Sequence, residues 1–292
     1  MKGYKGFNKG LICRGKQYAE NTIFEEPEAN ICENGMHFCE NPFDVLNYYG
    51  FTRSNEFAEV EALDEVKTDD KKKYCTKKLR IGTKLSFAEF IQACVDFVIE
   101  KTLVTETGNN ISNSGDYVQI GEEGDYAQIG EEGFCSQIGS TGDYAQIGST
   151  GYAAQISNSG DYAQIVSSGN FAQISNSGDY AQIGSTGYAA RISSSGNATR
   201  IESSGDYARI SSSGNAARIE SSGENCAICC TGNGSRVKAK RGSWITLTEV
   251  KSDEEKEDCG YVCVKTERVD GEHIKEDVFY MLKDGEFQEV GS

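Results

Sequence analysis

From Ile111 to Arg236 the chain repeats itself every nine residues, in fourteen units that read roughly Ile-x-x-x-Gly-x-x-Ala-Gln/Arg and neither gain nor lose a residue. Isoleucine recurs at every ninth position from 111 to 228, Val237 closes the series, and glycine recurs at every ninth position from 115 to 232. So strict a period marks a solenoid, in which each coil lies on the one before it. In a stretch such as Ala127-Gln128-Ile129, the two-residue strand period places Ala and Ile on one side and Gln on the other. Ala and Ile face inward, and the Ser-x-Ser-Gly-Asp stretch supplies the turn, with its glycine expected at positive φ. Nine residues hold one strand and one turn, so the chain needs two units to return to its starting side. The spacing therefore predicts 18-residue coils.

The side chains support that step. Asp-Tyr recurs in alternate units at Asp125-Tyr126, Asp143-Tyr144, Asp161-Tyr162 and Asp179-Tyr180, while the units between them are mixed, as in Phe134-Cys135, Tyr152-Ala153 and Asn170-Phe171. Fourteen units make seven coils, a rod of roughly 34 Å at the ~4.8 Å spacing of neighbouring strands. The fold class is mainly β: a two-sided β-solenoid with two nonapeptides per coil, a small α+β amino-terminal domain over 1–106, the array over 107–237 and a β-hairpin carboxyl-terminal cap over 238–292.

Composition fits a thin core. With 33 Gly, two Pro and 37% hydrophobic residues, 292 residues are poor in core material for ordinary globules, but a solenoid core one or two side chains thick needs only Ala and Ile. The net charge of -16 is uneven: to Gln182 the array carries nine acids and no base, and its remainder carries five Arg against four acids. Such acidity argues against direct nucleic-acid binding, which needs a basic footprint, and leaves basic proteins open as partners. The opening MKGYKGF has no apolar signal region, and the eleven cysteines keep no paired spacing; the expectation is reduced thiols in a cytoplasm. No apolar run approaches the ~20 residues of a spanning helix, so no membrane partner is expected.

The flanks read as follows. Asn41-Pro42 through Gly50 offers an Asn cap, Pro at the first helical position and a closing Gly, hence a short helix. Glu56 to Val66 alternates as a half-buried strand, and Ser86-Phe87-Ala88-Glu89 is a capping box before Phe87, Phe90, Ile91, Cys94, Val95 and Val98 at helical spacing. That helix is expected to cap the first coil. After Val237 the repeat ends, Trp244 to Val250 reads as a strand, and Asp270-Gly271 and Asp284-Gly285 read as two hairpin turns, the first between Val262-Val269 and His273-Met281.

The candidate binding surface is the outward ladder of alternate units. Tyr126, Tyr144, Tyr162 and Tyr180 should stack beside Gln128, Gln146, Gln164 and Gln182, flanked by Asp125, Asp143, Asp161 and Asp179. Tyr buries much area at an interface at little entropic cost; the competing reading is that stacked identical side chains merely stabilise the coils. Arg200, Arg218 and Arg236 alternate with Glu202, Glu220 and Lys238, read as cross-coil ion pairs worth little each. Calcium-binding β-rolls share the nine-residue period, but no unit here has the three glycines that motif needs. Ice-binding solenoids need a Thr-x-Thr rank that is absent. Cys32, His37 and Cys39, or Cys226, Cys229 and Cys230, lack the paired Cys-x-x-Cys groups of structural zinc, so no metal site and no cofactor are assigned.

Arg14, His37, Cys39 and Glu59 or Glu61 make the amino-terminal domain the only enzyme candidate. Gly35-Met36-His37-Phe38-Cys39-Glu40-Asn41-Pro42, followed by a helix ending in Tyr48-Tyr49, resembles the strand-then-helix segment of ADP-ribosyltransferases. That resemblance implies a polar residue at the nicotinamide nucleotide and a later Glu at the ribose; the plain alternative is a core histidine. Together with Gly3-Tyr4-Lys5-Gly6-Phe7, Cys13-Arg14-Gly15-Lys16-Gln17-Tyr18 and Phe57-Ala58-Glu59-Val60-Glu61-Ala62-Leu63, the same segment resembles an uncharacterised domain of phages and prophages of gut bacteria. The resemblance implies a cytoplasmic protein of an infected or lysogenic cell, where small acidic proteins block host enzymes or defences. The leading expectation is a non-catalytic interaction protein that presents its solenoid to a protein partner or to its own copy as a homodimer. The alternatives are a DNA-mimic inhibitor of a DNA-binding protein, and an ADP-ribosyltransferase-like amino-terminal domain.

Overall fold

A computed structural model of the chain describes residues 1–52, 54–104, 110–253 and 258–291. It separates into two compact units, Met1–Phe97 and Val98–Ser292. The first unit contains β1 (Lys2–Asn8), β2 (Ile12–Cys13), β3 (Lys16–Gln17), β4 (Thr22–Glu25), β5 (Met36–Phe38), α1 (Pro42–Val45), β6 (Asn55–Ala62), β7 (Val66–Thr68), β8 (Tyr74–Thr76), β9 (Lys78–Leu85) and the start of α2 (Phe87–Val104). A six-stranded sheet has the order β3-β2-β1-β6-β9-β4, and a three-stranded sheet the order β5-β8-β7.

The cap signals of the sequence are realised. Asn41 Oδ1 accepts the Phe43 N–H at 3.0 Å and Pro42 opens α1, which ends at Leu46 rather than running to Gly50. Ser86 and Glu89 exchange their two bonds at the start of α2, at 2.7 and 3.3 Å. The β6 alternation is interrupted: Phe57 and Ala58 are both buried, because the β6–β9 register shifts between Ala58 and Val60, as a bulge does. Phe57 on β6 and Phe90 on α2 stack at 3.9 Å, so the helix closes over the sheet.

In the second unit every strand of the array pairs in parallel with the strand two units on, as in Gln128↔Gln146, Ile129↔Ile147, Gly130↔Gly148 and Glu131↔Ser149. Two walls result, the first beginning at Asn110–Asn113 and the second at Gln119–Glu122. Two nonapeptides complete each circuit. Ile129, Ile147, Ile165, Ile183, Ile201 and Ile219 of the first wall are at most 1% exposed, and Ile138, Ile156, Ile174, Ile192, Ile210 and Ile228 of the second are 2%. Full burial of one such side chain is worth about 1.5–3 kcal/mol.

Each wall has eight parallel strands rather than the seven the repeat count implies. Trp244 and Ile245 pair in parallel with Ala227 and Ile228, so Ile245 continues the isoleucine column of the second wall. This turn is one residue short, and Gly242 in it sits at φ +91, which is why the nine-residue period hides the last coil. Beyond it the parallel walls end on antiparallel strands: Trp244–Asp253 pairs with Asp258–Arg268, and Arg236–Lys238 with Phe279–Lys283, which forms a hairpin with Glu286–Val290. Asp284 and Gly285 close that hairpin at φ 54 and 74, the primed turn expected of Asp-Gly. Asp270-Gly271 does not form the other expected hairpin. The Asp270 carboxylate accepts the N–H groups of Glu272, His273 and Ile274, and the chain crosses there from one wall to the other.

The repeat glycine does a different job from the one expected. Positive φ falls two residues later, on Tyr126, Tyr144, Tyr162 and their equivalents, while Gly124, Gly142 and Gly160 are outside that region. Glycine is needed because the coils touch at it: a Cβ on Gly160 would stand 2.0 Å from the Gly142 carbonyl oxygen. The same overlap recurs from Gly133 to Gly232.

Beside the isoleucines lies a buried polar column. In the first wall it runs Glu131, Ser149, Ser167, Ser185, Ser203 and Ser221. Ser149 Oγ donates to Glu131 Oε2 at 3.1 Å, but Oε1 has no partner among the described residues. Burial raises the Glu131 pKa above its ordinary 4.5 despite that bond.

Two outcomes follow. Gly160→Ala should lower stability by about 3 kcal/mol or more, read as a fall in the urea midpoint, whereas Gly121→Ala, with open space around its Cβ, should change little. For Glu131 the folded-state pKa is the raised one, so its contribution is fully present below about 4.5 and lost as pH rises through the folded value. Thermal melts of Glu131→Gln across pH 4–9 should show a shallower decline on the alkaline side than the parent; parallel curves refute the assignment.

Candidate functional site

The surface of the array is built on its turns. Where the residue after glycine is Asp or Asn, its side-chain oxygen reaches the next coil: Asp125 Oδ1 accepts the Asp143 N–H at 3.0 Å, Asp143 that of Asp161 at 2.8 Å, and Asp161 that of Asp179 at 2.7 Å. Asn197 and Asn215 continue the series. The aspartates are thus turn ladders as much as surface charges. The following residue takes the left-handed conformation and projects its ring outward.

Tyr126, Tyr144, Tyr162 and Tyr180 form one column with centroids 5.0 Å apart at each step and planes within 7° of parallel. Their exposures lie between 42 and 57%. The amides form their own ladder, Gln128 Nε2 donating to Gln146 Oε1 at 3.0 Å and Gln146 Nε2 to Gln164 Oε1 at 3.2 Å. Tyrosines occupy turns and glutamines open strands, so the expected flat strip is a corner column beside a sheet-face ladder.

The mixed units hide a second aromatic column. Tyr117, Phe134, Tyr152, Phe171, Tyr188 and Tyr207 follow one another at 5.1–5.8 Å. The ring comes from the first turn position at Phe134, Tyr152 and Tyr188 and from the second at Tyr117, Phe171 and Tyr207. Comparison by fixed position breaks the series, although an aromatic residue in every alternate unit was the signal available. The second wall also carries exposed Gln119, Gln137, Gln155 and Gln173, succeeded by Arg191 and Arg209. Small residues beside them, Gly121, Gly139, Ser157 and Ser175, leave an open groove of about 990 Å³ that runs to Trp244, itself 52% exposed.

The late arginines correct an expectation. Glu220 binds Arg218 at 2.6 Å within its own strand and Lys238 of the next coil at 2.7 Å, and all three are nearly buried. The Phe279 ring covers them, 4.3 Å from the Arg218 guanidinium and 4.8 Å from Lys238. Burial opposes the Glu220 charge, but the hydrogen bonds and charges of Lys238 and Arg218 outweigh it and hold the carboxyl below its usual range. This is a sealed charge cluster, not a set of exposed pairs.

In the first unit a cavity of about 890 Å³ is lined by Lys5, Arg14, His37 and Cys39, but neither by Glu59 nor by Glu61; Glu61 is engaged by Arg80 at 2.7 Å. His37 Nε2 accepts the Cys32 N–H at 3.0 Å, and the ring also bonds the Asn30 backbone. Burial first, then Lys5, Lys73 and Arg14, lower its pKa to about 4. Burial and the neighbouring cations thus favour the neutral imidazole, whose Nε2 is occupied by the Cys32 N–H. Among the described residues no three His, Cys, Asp or Glu side chains gather to hold a metal. Cys226 and Cys230 are buried, and Cys229 is half-exposed. No described helix is long and apolar enough to cross a membrane.

No curated protein and no solved structure matches the chain significantly. Residues 1–93 match the family model of a domain of unknown function, DUF7666.

Proposed function

We propose that the solenoid is a non-catalytic interaction module whose aromatic columns engage a protein partner or a second copy of the chain. The observation that carries this reading is the placement of Tyr126, Tyr144, Tyr162 and Tyr180 in left-handed turns with their rings in solvent. A non-glycine residue in that conformation costs about 1–2 kcal/mol, and an aromatic stack returns about 0.5–1.5 kcal/mol. The backbone cost falls equally on any non-glycine residue in that turn and so does not select Tyr. Coil closure does not require Tyr, since the same turn closes on Ala198, Ala216 and Gly234 at φ 53, 54 and 66. Half-exposed rings that coil closure does not need, on a rigid scaffold with fixed spacing, suit recognition by a complementary protein surface.

The phage and prophage character suggested by the amino-terminal motifs supports a partner within an infected bacterial cell, with inhibition of a host enzyme or defence as the outcome of binding. DNA mimicry is the weaker form of the idea, because Asp125, Asp143 and Asp161 each use a carboxylate oxygen to fasten the next turn.

The test is the double variant Tyr144→Ser/Tyr162→Ser. It should remain folded, losing about 1.5–4.5 kcal/mol for the three ring stacks it removes, while a complex recovered from bacterial lysate, or a dimer seen by light scattering, should be lost. Retention of the complex by a folded double variant overturns the proposal. Release of the captured protein by competing duplex DNA, together with insensitivity to the Tyr changes, assigns the acidic ladder instead.

A further inference from the structure

The first unit holds an electropositive cavity within a strongly acidic chain. Four cationic side chains line it, Lys5, Arg14, Lys16 and Lys73, against the carboxylates of Glu26 and Glu33, and Glu26 is already paired with Lys16. Lys5 is the informative one. It stands on β1, is 4% exposed, and lies 5.5 and 5.4 Å from the Phe7 and Tyr18 ring centroids. Its ammonium donates to the His37 carbonyl oxygen at 2.7 Å and also bonds the Cys13 thiol. Among the described residues no carboxylate forms an ion pair with it. A buried cation without a counter-charge costs several kcal/mol. An ammonium has three donors, and two are used.

The remaining cations have the same bias. Arg14 is exposed, and its guanidinium lies 3.4 Å from the Cys32 carbonyl oxygen through both terminal nitrogens. Lys73 donates to Cys32 Sγ at 2.9 Å. Their summed field is visible at His37, which Lys5, Lys73 and Arg14 all push toward the neutral form after burial has done so.

We propose that this cavity binds a phosphate-bearing small molecule, with Lys5 at its base and Arg14 at its mouth as the anion contacts. A phosphate supplies the charge that Lys5 lacks and matches the bidentate fork of an arginine. This site is independent of the solenoid surface.

The chain has two histidines, and His273 is exposed, so NMR titration of the two imidazoles gives a reporter and an internal control in the full-length protein. Inorganic pyrophosphate, ADP and adenosine are the probes. Pyrophosphate or ADP should shift the His37 signals, raise its pKa from about 4 and leave His273 in place. Lys5→Met, which fills the same space without charge, and Arg14→Gln, at an exposed position, should each weaken binding by about 10-fold or more. Equal affinity for pyrophosphate and ADP assigns the site to the phosphate group alone; tighter ADP assigns a nucleotide. The proposal is overturned if neither probe moves His37 at millimolar concentration, if adenosine binds as well as ADP, or if folded Arg14→Gln binds like the parent.

Discussion

The contact on which the second unit depends is that of one glycine with the carbonyl of the glycine eighteen residues earlier. It brings each turn so close to the one before that no side chain fits between them, as at Gly160 over Gly142. Backbone hydrogen bonds then run through turns as well as strands: the Gln146 N–H donates to the Ala127 oxygen at 2.7 Å, and the Tyr126 N–H to the Asp143 oxygen at 2.8 Å. A slip of one residue would put a Cβ into a carbonyl and turn every isoleucine outward. The regularity of the sequence is therefore steric. The 5.0 Å spacing of the tyrosine rings follows from it, since they hang on turns whose separation the strands dictate.

A core this thin has little room to hide polar atoms, yet the column next to the isoleucines is polar throughout. Some of these groups bond turn backbone or the adjacent coil, as Asn158 does in donating to the Gly160 oxygen and to Asn176 Oδ1 at 2.8 Å, whereas the Ser140, Ser185, Ser203, Ser212 and Ser221 hydroxyls have no partner among the described residues. Two buried carboxylates of the first wall, Glu131 in this column and Glu220 in the neighbouring one, meet different fates. Glu220 is compensated by Arg218 and Lys238 beneath Phe279; Glu131 has hydroxyl help and, among the described residues, no ion pair. The first arrangement lets the array end against a hairpin, whose antiparallel strand covers the hydrogen-bonding edge of the first wall. The second leaves a titratable weak point near the array's beginning.

Charge separates the two units in character. In the array, acids line the turns and fasten them, whereas the first unit concentrates cations around one cavity despite its own excess of carboxylates. Neither feature follows from the net charge. A net value of -16 describes long-range repulsion of nucleic acid, but it is silent about a cavity whose near field is positive. The sequence shows His37 as a lone imidazole; the tertiary structure bonds its ring to the Cys32 and Asn30 backbone and favours its neutral form.

Repetition made the solenoid legible. Ile at every ninth position and like residues in alternate units determined the 18-residue coil, the inward Ile and Ala and the stacked Asp125, Tyr126 and Gln128 series, because in-register parallel strands map sequence period directly onto space. What repetition could not convey depended on distances between backbones. Glycine's role, the positive φ on Tyr144 and Tyr162, the second aromatic column shared between two turn positions, and the eighth coil shortened at Gly242 all follow from how closely coils pack. The Asp270-Gly271 turn looked like a hairpin locally and became a crossover because Trp244–Asp253 offered Asp258–Arg268 a longer edge. In the first unit the chain has no period, so residues 5, 14, 37 and 73 could be brought to one cavity only by tertiary packing. Local sequence determines the repeating geometry; the cavity and the buried charge clusters exist because distant segments are desolvated together.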